Sequence, residues 1–334
     1  MLRGKVIFRL VAAAAALVAA LSMAGVAFAQ GPDVNHPMVP RGSSKPGIGA
    51  NRPTRNLSYR GGLSGTGVEI SPKVYLVFWG SQWSSDPQNE APYLQSFLSG
   101  LHGTQDTWST STTQYCQNVA SGTTDCTAVS GAQFVTHPDT LSLAGVWFDG
   151  ASAAPTHPSQ SQLAAEAVNA AVHFTNTISA ANASVQYIIA TAHGNSATGF
   201  GTSYCAWHSR TNSAYGNLAY TNLPYQPDAG GSCGQNFVNS GSAGTLDGVS
   251  IVAGHEYAET VTDQYPSYGW LDSNGAENGD KCAWISSGQG AAANITLGNN
   301  GTFAVQSLWS NNFKNSNGTL GNCVISYVDA THQQ

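Results

Sequence analysis

The stretch D-G-V-S-I-V-A-G-H-E-Y-A-E-T-V-T-D, Asp247 to Asp263, sets a cluster of ionisable groups into an apolar run. Val249, Ile251, Val252, Ala253, Tyr257, Ala258 and Val261 supply apolar surface around a helical wheel and predict one buried helix. Asp247 stands where a carboxylate would cap the free N–H groups of the first turn. His255 and Glu259 are four apart, so they share one face a turn apart. Asp263 continues that face. Glu256 points about 100° away around the axis.

His255-Glu256-x-x-Glu259 is the zincin pattern H-E-x-x-H with Glu in place of the second His. In that pattern the residues at i and i+4 hold the metal, and the Glu at i+1 acts as general base. A carboxylate suits the second ligand position, because Zn²⁺ accepts both imidazole nitrogen and carboxylate oxygen. The competing reading makes His255 a satisfied core histidine, with Glu256 and Glu259 hydrogen-bonded to a loop. Burying an imidazole among carboxylates on so apolar a helix is costly without a cation, which favours metal.

Trp270 to Trp284, W-L-D-S-N-G-A-E-N-G-D-K-C-A-W, is the second informative stretch. A catalytic zinc on the helix needs a third protein ligand and an open position. Glu277 is the first candidate and Asp280 the second, with Asp263 a further rival. In gluzincin metallopeptidases a Glu beyond the motif completes the ligand set, and a nearby Asp orients the first His. Glu277 followed by Asp280 is similar in spacing, which makes Asp280 the partner of the free ring nitrogen of His255. Asp272, Asn274, Glu277 and Asp280 are also oxygen donors on a Gly-rich loop, so Ca²⁺ is a second cofactor candidate. They are turn formers as well, Asp-Ser-Asn-Gly being a strong turn signal.

G-H-E-Y-A-E-T-V-T-D, then W-L-D, then A-E-N-G-D-K-C-A-W resembles the phosphate-induced protein / EXORDIUM-like family, secreted proteins of plants with bacterial relatives. V-Y-L-V-F-W-G-S-Q-W, from Val74, is similar to that family's first strand. The resemblance runs in order over residues 61 to 328. Plant members are associated with the cell wall and growth control; the resemblance implies secretion and a zincin-like core, and it names no substrate.

The amino terminus reads as a processing segment. Arg3, Lys5 and Arg9 precede the apolar run Leu10 to Val26, and Ala27-Phe28-Ala29 is a small-x-small cleavage signature. Residues 1–29 are therefore expected to be a signal peptide, with a mature chain beginning at Gln30. No second long apolar run follows, so no membrane span is expected. The six cysteines, an even count in an exported chain, predict disulfides. Sequence does not choose among about fifteen pairings. The expectation adopted is sequential: Cys116–Cys126, Cys205–Cys233 and Cys282–Cys323.

Twelve basic residues face eighteen acidic ones. Loss of the three basic groups of the leader leaves nine against eighteen, a balance that argues against nucleic acid or an anionic membrane as partner. Residues 30–60 are rich in Pro, Gly and basic groups without periodicity, and read as a disordered leader or propeptide. Residues 61–334 read as a single domain.

Val74 to Trp79 predicts a central strand, Ala91 to Leu101 a short helix, and Ser159 to Ala181 the longest helix, capped by Ser159 or Ser161. Val185 to Ala192 and Gly216 to Leu223 predict further strands. Weaker strand signals lie at 113–119, 133–136, 145–148, 302–308 and 322–328. The fold class is α/β (α+β): a mixed twisted sheet with helices on one face, a long backing helix and a zincin-like active-site helix, stapled by disulfides.

Other chemistry carries less. Gly230-Gly231-Ser232-Cys233-Gly234 matches G-x-S-x-G, but Pro227 and Asp228 precede it where a nucleophile elbow needs a strand. His208 reads as a surface-loop residue that would otherwise stabilise an oxyanion, as would Tyr257 or Tyr265. His193 faces the same choice, and His173 reads as packing. The tryptophans suit either a sugar-stacking platform or the core. The leading expectation is a secreted zinc metallopeptidase-like hydrolase acting on protein or peptide, with Glu256 as base and His255, Glu259 and Glu277 as ligands. The alternative is a non-catalytic extracellular protein that binds cell-wall polysaccharide and holds a structural metal or polar cluster.

Overall fold

A computed structural model describes residues 35–43, 56–137 and 142–327. The proposed signal peptide lies outside them. In chain order the first elements are β1 (His36–Met38), β2 (Ser58–Tyr59), β3 (Lys73–Trp79), α1 (Glu90–Gly100), β4 (Cys116–Gln117), β5 (Gln133–Phe134) and β6 (Leu143–Asp149). Then come α2 (Gln160–His173), β7 (Val185–Thr191), β8 (Ala206–Ser213), β9 (Gly216–Leu223) and α3 (Asp247–Thr262). The last are β10 (Trp270–Leu271), β11 (Ala293–Thr296), β12 (Thr302–Val305), β13 (Leu308–Lys314) and β14 (Leu320–Val324).

Six strands form one mixed sheet in the order β1-β8-β9-β7-β3-β6. β6, β3, β7 and β9 run parallel, while β8 and then β1 add antiparallel strands at one edge. The fold is therefore α+β, as the pattern of elements predicts. β7 is buried along its whole length, as an inner parallel strand should be.

Side chains alternate across this sheet and split the core in two. Val74, Leu76, Phe78, Ile188 and Ala190 face α1 and α3. Val77, Tyr187, Ile189, Leu218 and Tyr220 face α2. Helices thus cover both faces, not one. Parallel crossovers explain this, since connections placing a helix on each side bury both faces of an inner strand.

α2 begins where expected, with Ser159 and Gln162 forming a capping box. It stops at His173, well short of Ala181, because Thr175 takes a left-handed conformation at φ 62°. α3, with sixteen residues, is the longest helix described. Every one of those residues is buried, which accounts for an apolar surface on all sides. Asp247 is not its cap. It is the first helical residue, and its carboxylate accepts from Val238 N, Asn239 N and Asn239 Nδ2 of the preceding loop.

The three disulfides pair as Cys116–Cys126, Cys205–Cys233 and Cys282–Cys323. Among the described residues no helix is long and apolar enough to cross a membrane. The expectation that residues 30–60 lack structure fails for part of the segment. His36–Met38 pairs with β8 and Ser58–Tyr59 with β10. Trp83, Trp108, Trp207, Trp270 and Trp309 are buried, so they build core and offer no stacking platform.

Candidate metal centre

Three parts of the fold meet over α3. β8 carries His208, the 277–280 turn carries Glu277 and Asp280, and β1 carries His36. His255, Glu256, Glu259, His208 and Glu277 are all fully buried. Two disulfides fix these parts. Cys205–Cys233 holds the start of β8, and Cys282–Cys323 holds the turn following Asp280.

His255 and Glu259 meet on one helical face, with Nε2 3.0 Å from Oε1. The tautomer of His255 is set from behind. Gln306 donates through Nε2 to Gly279 O and Ser307 O, so its Oε1 is an acceptor. It stands 3.1 Å from His255 Nδ1, which therefore carries the proton. In the neutral ring Nε2 is then a bare lone pair 3.0 Å from a carboxylate oxygen. The short contact lacks hydrogen-bond geometry, and Nε2 has no partner. Two lone-pair atoms this close repel unless one of them is protonated or a cation joins them.

A second set lies beside the first. His208 Nδ1 donates to Glu256 Oε2 at 3.0 Å, which leaves its Nε2 3.5 Å from Glu277 Oε2 without a hydrogen bond. His36 Nδ1 lies 2.8 Å from the same Glu277 oxygen. Both Glu277 oxygens and Glu259 Oε2 also lack hydrogen-bond partners. Buried polar atoms left this way cost about 1–3 kcal/mol each, more when charged.

The donor atoms fall into compact groups. His255, Glu259 and Asp280 offer atoms within 4.8 Å of one another, and so do His36, Glu277 and Asp280, and His208, Glu256 and Glu259. Oxygen and imidazole donors of this kind fit Zn²⁺. Gly279 completes the fit. A Cβ there would stand 2.9 Å from His255 Nδ1 and 3.0 Å from Glu259 Oε1, so only glycine lets the turn close on these ligands.

Electrostatics point the same way. Burial drives the Glu259 carboxyl well above its usual range, only partly offset by His255. Burial is the largest single influence and pulls His255 down, but Glu259, Glu256 and Asp280 together outweigh it and raise it to about 10. His255 therefore favours its protonated form, and the Glu259 carboxyl resists ionisation. Burial likewise lowers His36, and Glu277 overrides it to about 9. Glu277 itself is driven up by burial and down further by His36 and His208, ending well below the carboxylate range.

Asp280, not Glu277, shares a group with His255 and Glu259. Glu277 sits in the neighbouring group. The ring nitrogen of His255 assigned to Asp280 is taken by Gln306. Asp263 lies outside these groups and ties down the loop after α3, accepting from Ser267 N, Tyr268 N and Gly269 N. Tyr257 and Tyr265 spend their hydroxyls on His102 and on Asn217 O. Asp272 accepts from Asn274 N, Ala276 N and Lys281 Nζ, which is turn chemistry with a lysine counter-ion.

His208 is no surface-loop residue but the buried partner of Glu256. His193 is exposed and paired with Asp228, and His173 stacks on Trp147. Ser232 lies in a short turn and donates to Ala229 O, so no nucleophile elbow forms. His36 and Gln306 escape a reading by motif, since neither stands near H-E-x-x-E in the sequence. No protein-family model, no curated protein and no solved structure matches this chain.

Proposed function

We propose that the protein is a secreted, zinc-dependent, metallopeptidase-like hydrolase that cleaves peptide bonds. One observation carries this reading. A buried imidazole nitrogen and a buried carboxylate oxygen, one helical turn apart, face each other at 3.0 Å with no hydrogen bond between them. His255 and Glu259 would hold the ion, with Asp280 as third donor of the same group and Glu277 and His208 in the adjoining groups. When bound, zinc would supply Lewis acidity, lowering the pKa of a water and polarising a carbonyl.

Glu256 would move the proton. Its Oε2 is held by His208 Nδ1, which fixes the carboxylate's orientation. Its Oε1 faces the main chain of β1, where Met38 N reaches it at 3.4 Å. An attacking water in that position would give its proton to Oε1, and the same oxygen would return it to the leaving amine. Gln306 keeps the His255 ring oriented throughout. Three disulfides fit an oxidising, extracytoplasmic setting.

The full burial of the cluster favours a second reading, an extracellular binding protein whose polar core is satisfied by protons or a structural ion. Glu256→Gln separates the two. The peptidase reading expects loss of hydrolysis of a denatured protein substrate, with zinc content unchanged. If wild type and variant are equally inert when zinc-loaded and freed of any covering segment, the binding-protein reading replaces it.

A further inference from the structure

β8 would be an open sheet edge but for three residues. β1 lies antiparallel to it, with His36 opposite His208 and Met38 opposite Ala206. The segment is held largely by its main chain. Met38 N donates to Glu256 Oε1, and Met38 O accepts from Cys205 N at 2.8 Å. Val39 O accepts from Trp284 Nε1 at 2.7 Å, and Arg41 N donates to Ser232 O at 2.8 Å. An extended chain bound to a sheet edge through backbone groups is the form in which many clefts receive peptides, with alternate side chains filling pockets. Here the alternate side chains point at the candidate chemistry. His36 reaches Glu277, and Met38 is fully buried.

We propose that the trench between β8, the carboxylates of α3 and the 277–284 turn is a groove for extended peptides with a large apolar side chain at the Met38 position, and that residues 35–41 are its built-in occupant, keeping the chain latent until they are cut away. Three features mark the segment as occupant and not substrate. Pro37 and Pro40 make the His36–Pro37 and Val39–Pro40 bonds tertiary amides without an N–H. His36 sits on Glu277, so the segment covers donors that a substrate would need open. Arg41 and Gly42 are exposed in a turn just beyond the buried Met38–Pro40, where a protease can reach. The nitrogen that contacts Glu256 belongs to the Pro37–Met38 bond, so the apolar residue is expected on the amine side of the cleaved bond.

The groove is independent of the metal; only its hydrolytic consequence rests on the peptidase reading. The test begins with the chain from Gln30 to Gln334, nicked by an arginine-specific endoprotease and checked by mass for cleavage after Arg41. A labelled synthetic peptide of residues 35–41 is titrated by anisotropy into nicked and intact protein, with and without zinc. Saturable binding to the nicked chain alone is expected, weakened roughly tenfold or more by Met38→Asp in the peptide. The emission of Trp284 should shift on release of the segment and return on rebinding. Peptide hydrolysis should appear only after the nick.

Binding without hydrolysis of any peptide by the zinc-loaded nicked chain leaves the groove standing and removes the peptidase reading. A released segment that never rebinds, a segment still attached through size exclusion after cleavage, or equal hydrolysis by nicked and intact protein overturns the proposal. Should nicking unfold the chain, the intact double variant His36→Ala, Met38→Ala takes its place. It should bind the peptide measurably, and a double variant as closed as wild type is equally fatal.

Discussion

Gly279→Ala adds one methyl group to the turn that closes over the candidate ligands. Its backbone, φ −73° and ψ −47°, is helical, so alanine introduces no conformational strain. The new carbon would stand 2.9 Å from Nδ1 and 3.1 Å from Cγ of His255, and 3.0 Å from Glu259 Oε1. Ordinary contacts begin near 3.4 Å, so ring and carboxylate must retreat by about half an ångström, and both are fully buried. Overpacking of this kind costs about 1–3 kcal/mol. Reduced freedom of the unfolded chain returns about 0.4–1 kcal/mol. A net loss of about 1–2 kcal/mol corresponds to a Tm lower by roughly 2–8 °C. The larger effect is on metal. Displacing His255 from Gln306 and Glu259 should weaken zinc binding about 10–100-fold, the range found when groups that orient a ligand are disturbed. Calorimetric melting and competitive zinc titration read the two quantities. Gly231→Ala is the control, because a Cβ there meets nothing within 4 Å. A Gly279→Ala protein that melts and binds zinc like the control would refute the proposed geometry.

Glu69 is fully buried, with one oxygen accepting from Gln186 and the other unpartnered, and burial raises it to about 8. Its folded pKa exceeds the unfolded value of 4.5, so the folded state keeps a proton that the unfolded chain releases. Its contribution is full below about pH 4.5 and is lost as pH rises towards 8, a loss of ~3–5 kcal/mol at 1.36 kcal/mol per unit. Glu69→Gln should therefore raise Tm at pH 8 and leave it unchanged at pH 4.5; equal shifts at both would contradict this. Gln306→Ala strips the partner from His255 Nδ1 and should weaken zinc binding about 10–100-fold, with intact binding in a competitive titration counting against the assigned tautomer. Replacing Cys205 and Cys233 by Ser opens a link across 28 residues and should cost ~3–4 kcal/mol of stability, measured by denaturant melts. A cost below about 1 kcal/mol would mean that packing alone fixes the start of β8.

α3 was legible in the sequence because its apolar residues surround the helix and its ionisable ones recur at one-turn spacing. The inner strands β3, β7 and β9 were legible as apolar or alternating runs bounded by turn residues. β8 was not. His208 on one face and Ser209 and Thr211 on the other are all buried, so polar residues stand on both covered faces and the hydrophobic alternation that marks a half-buried strand is missing. β1 was hidden by Pro37, which demotes a short run to non-strand although proline is tolerated at a sheet edge. The helical part of the candidate site follows from spacing along one element. His36, His208 and Gln306 come from distant segments that only the folded sheet brings together, and Gln306 does not titrate at all. Spacing alone did not choose the disulfides; the folded chain brings the three sequential pairs together across separations of 10, 28 and 41 residues.

The central claim is that a divalent cation belongs between His255 and the acidic side chains around it. Anomalous diffraction at the zinc edge, from crystals grown with stoichiometric zinc near neutral pH, tests it most directly. The account predicts a peak at about 2.0–2.2 Å from His255 Nε2 and from a Glu259 oxygen. A zinc-replete crystal with no peak there, and the ring nitrogen still 3.0 Å from Glu259 Oε1, would contradict it.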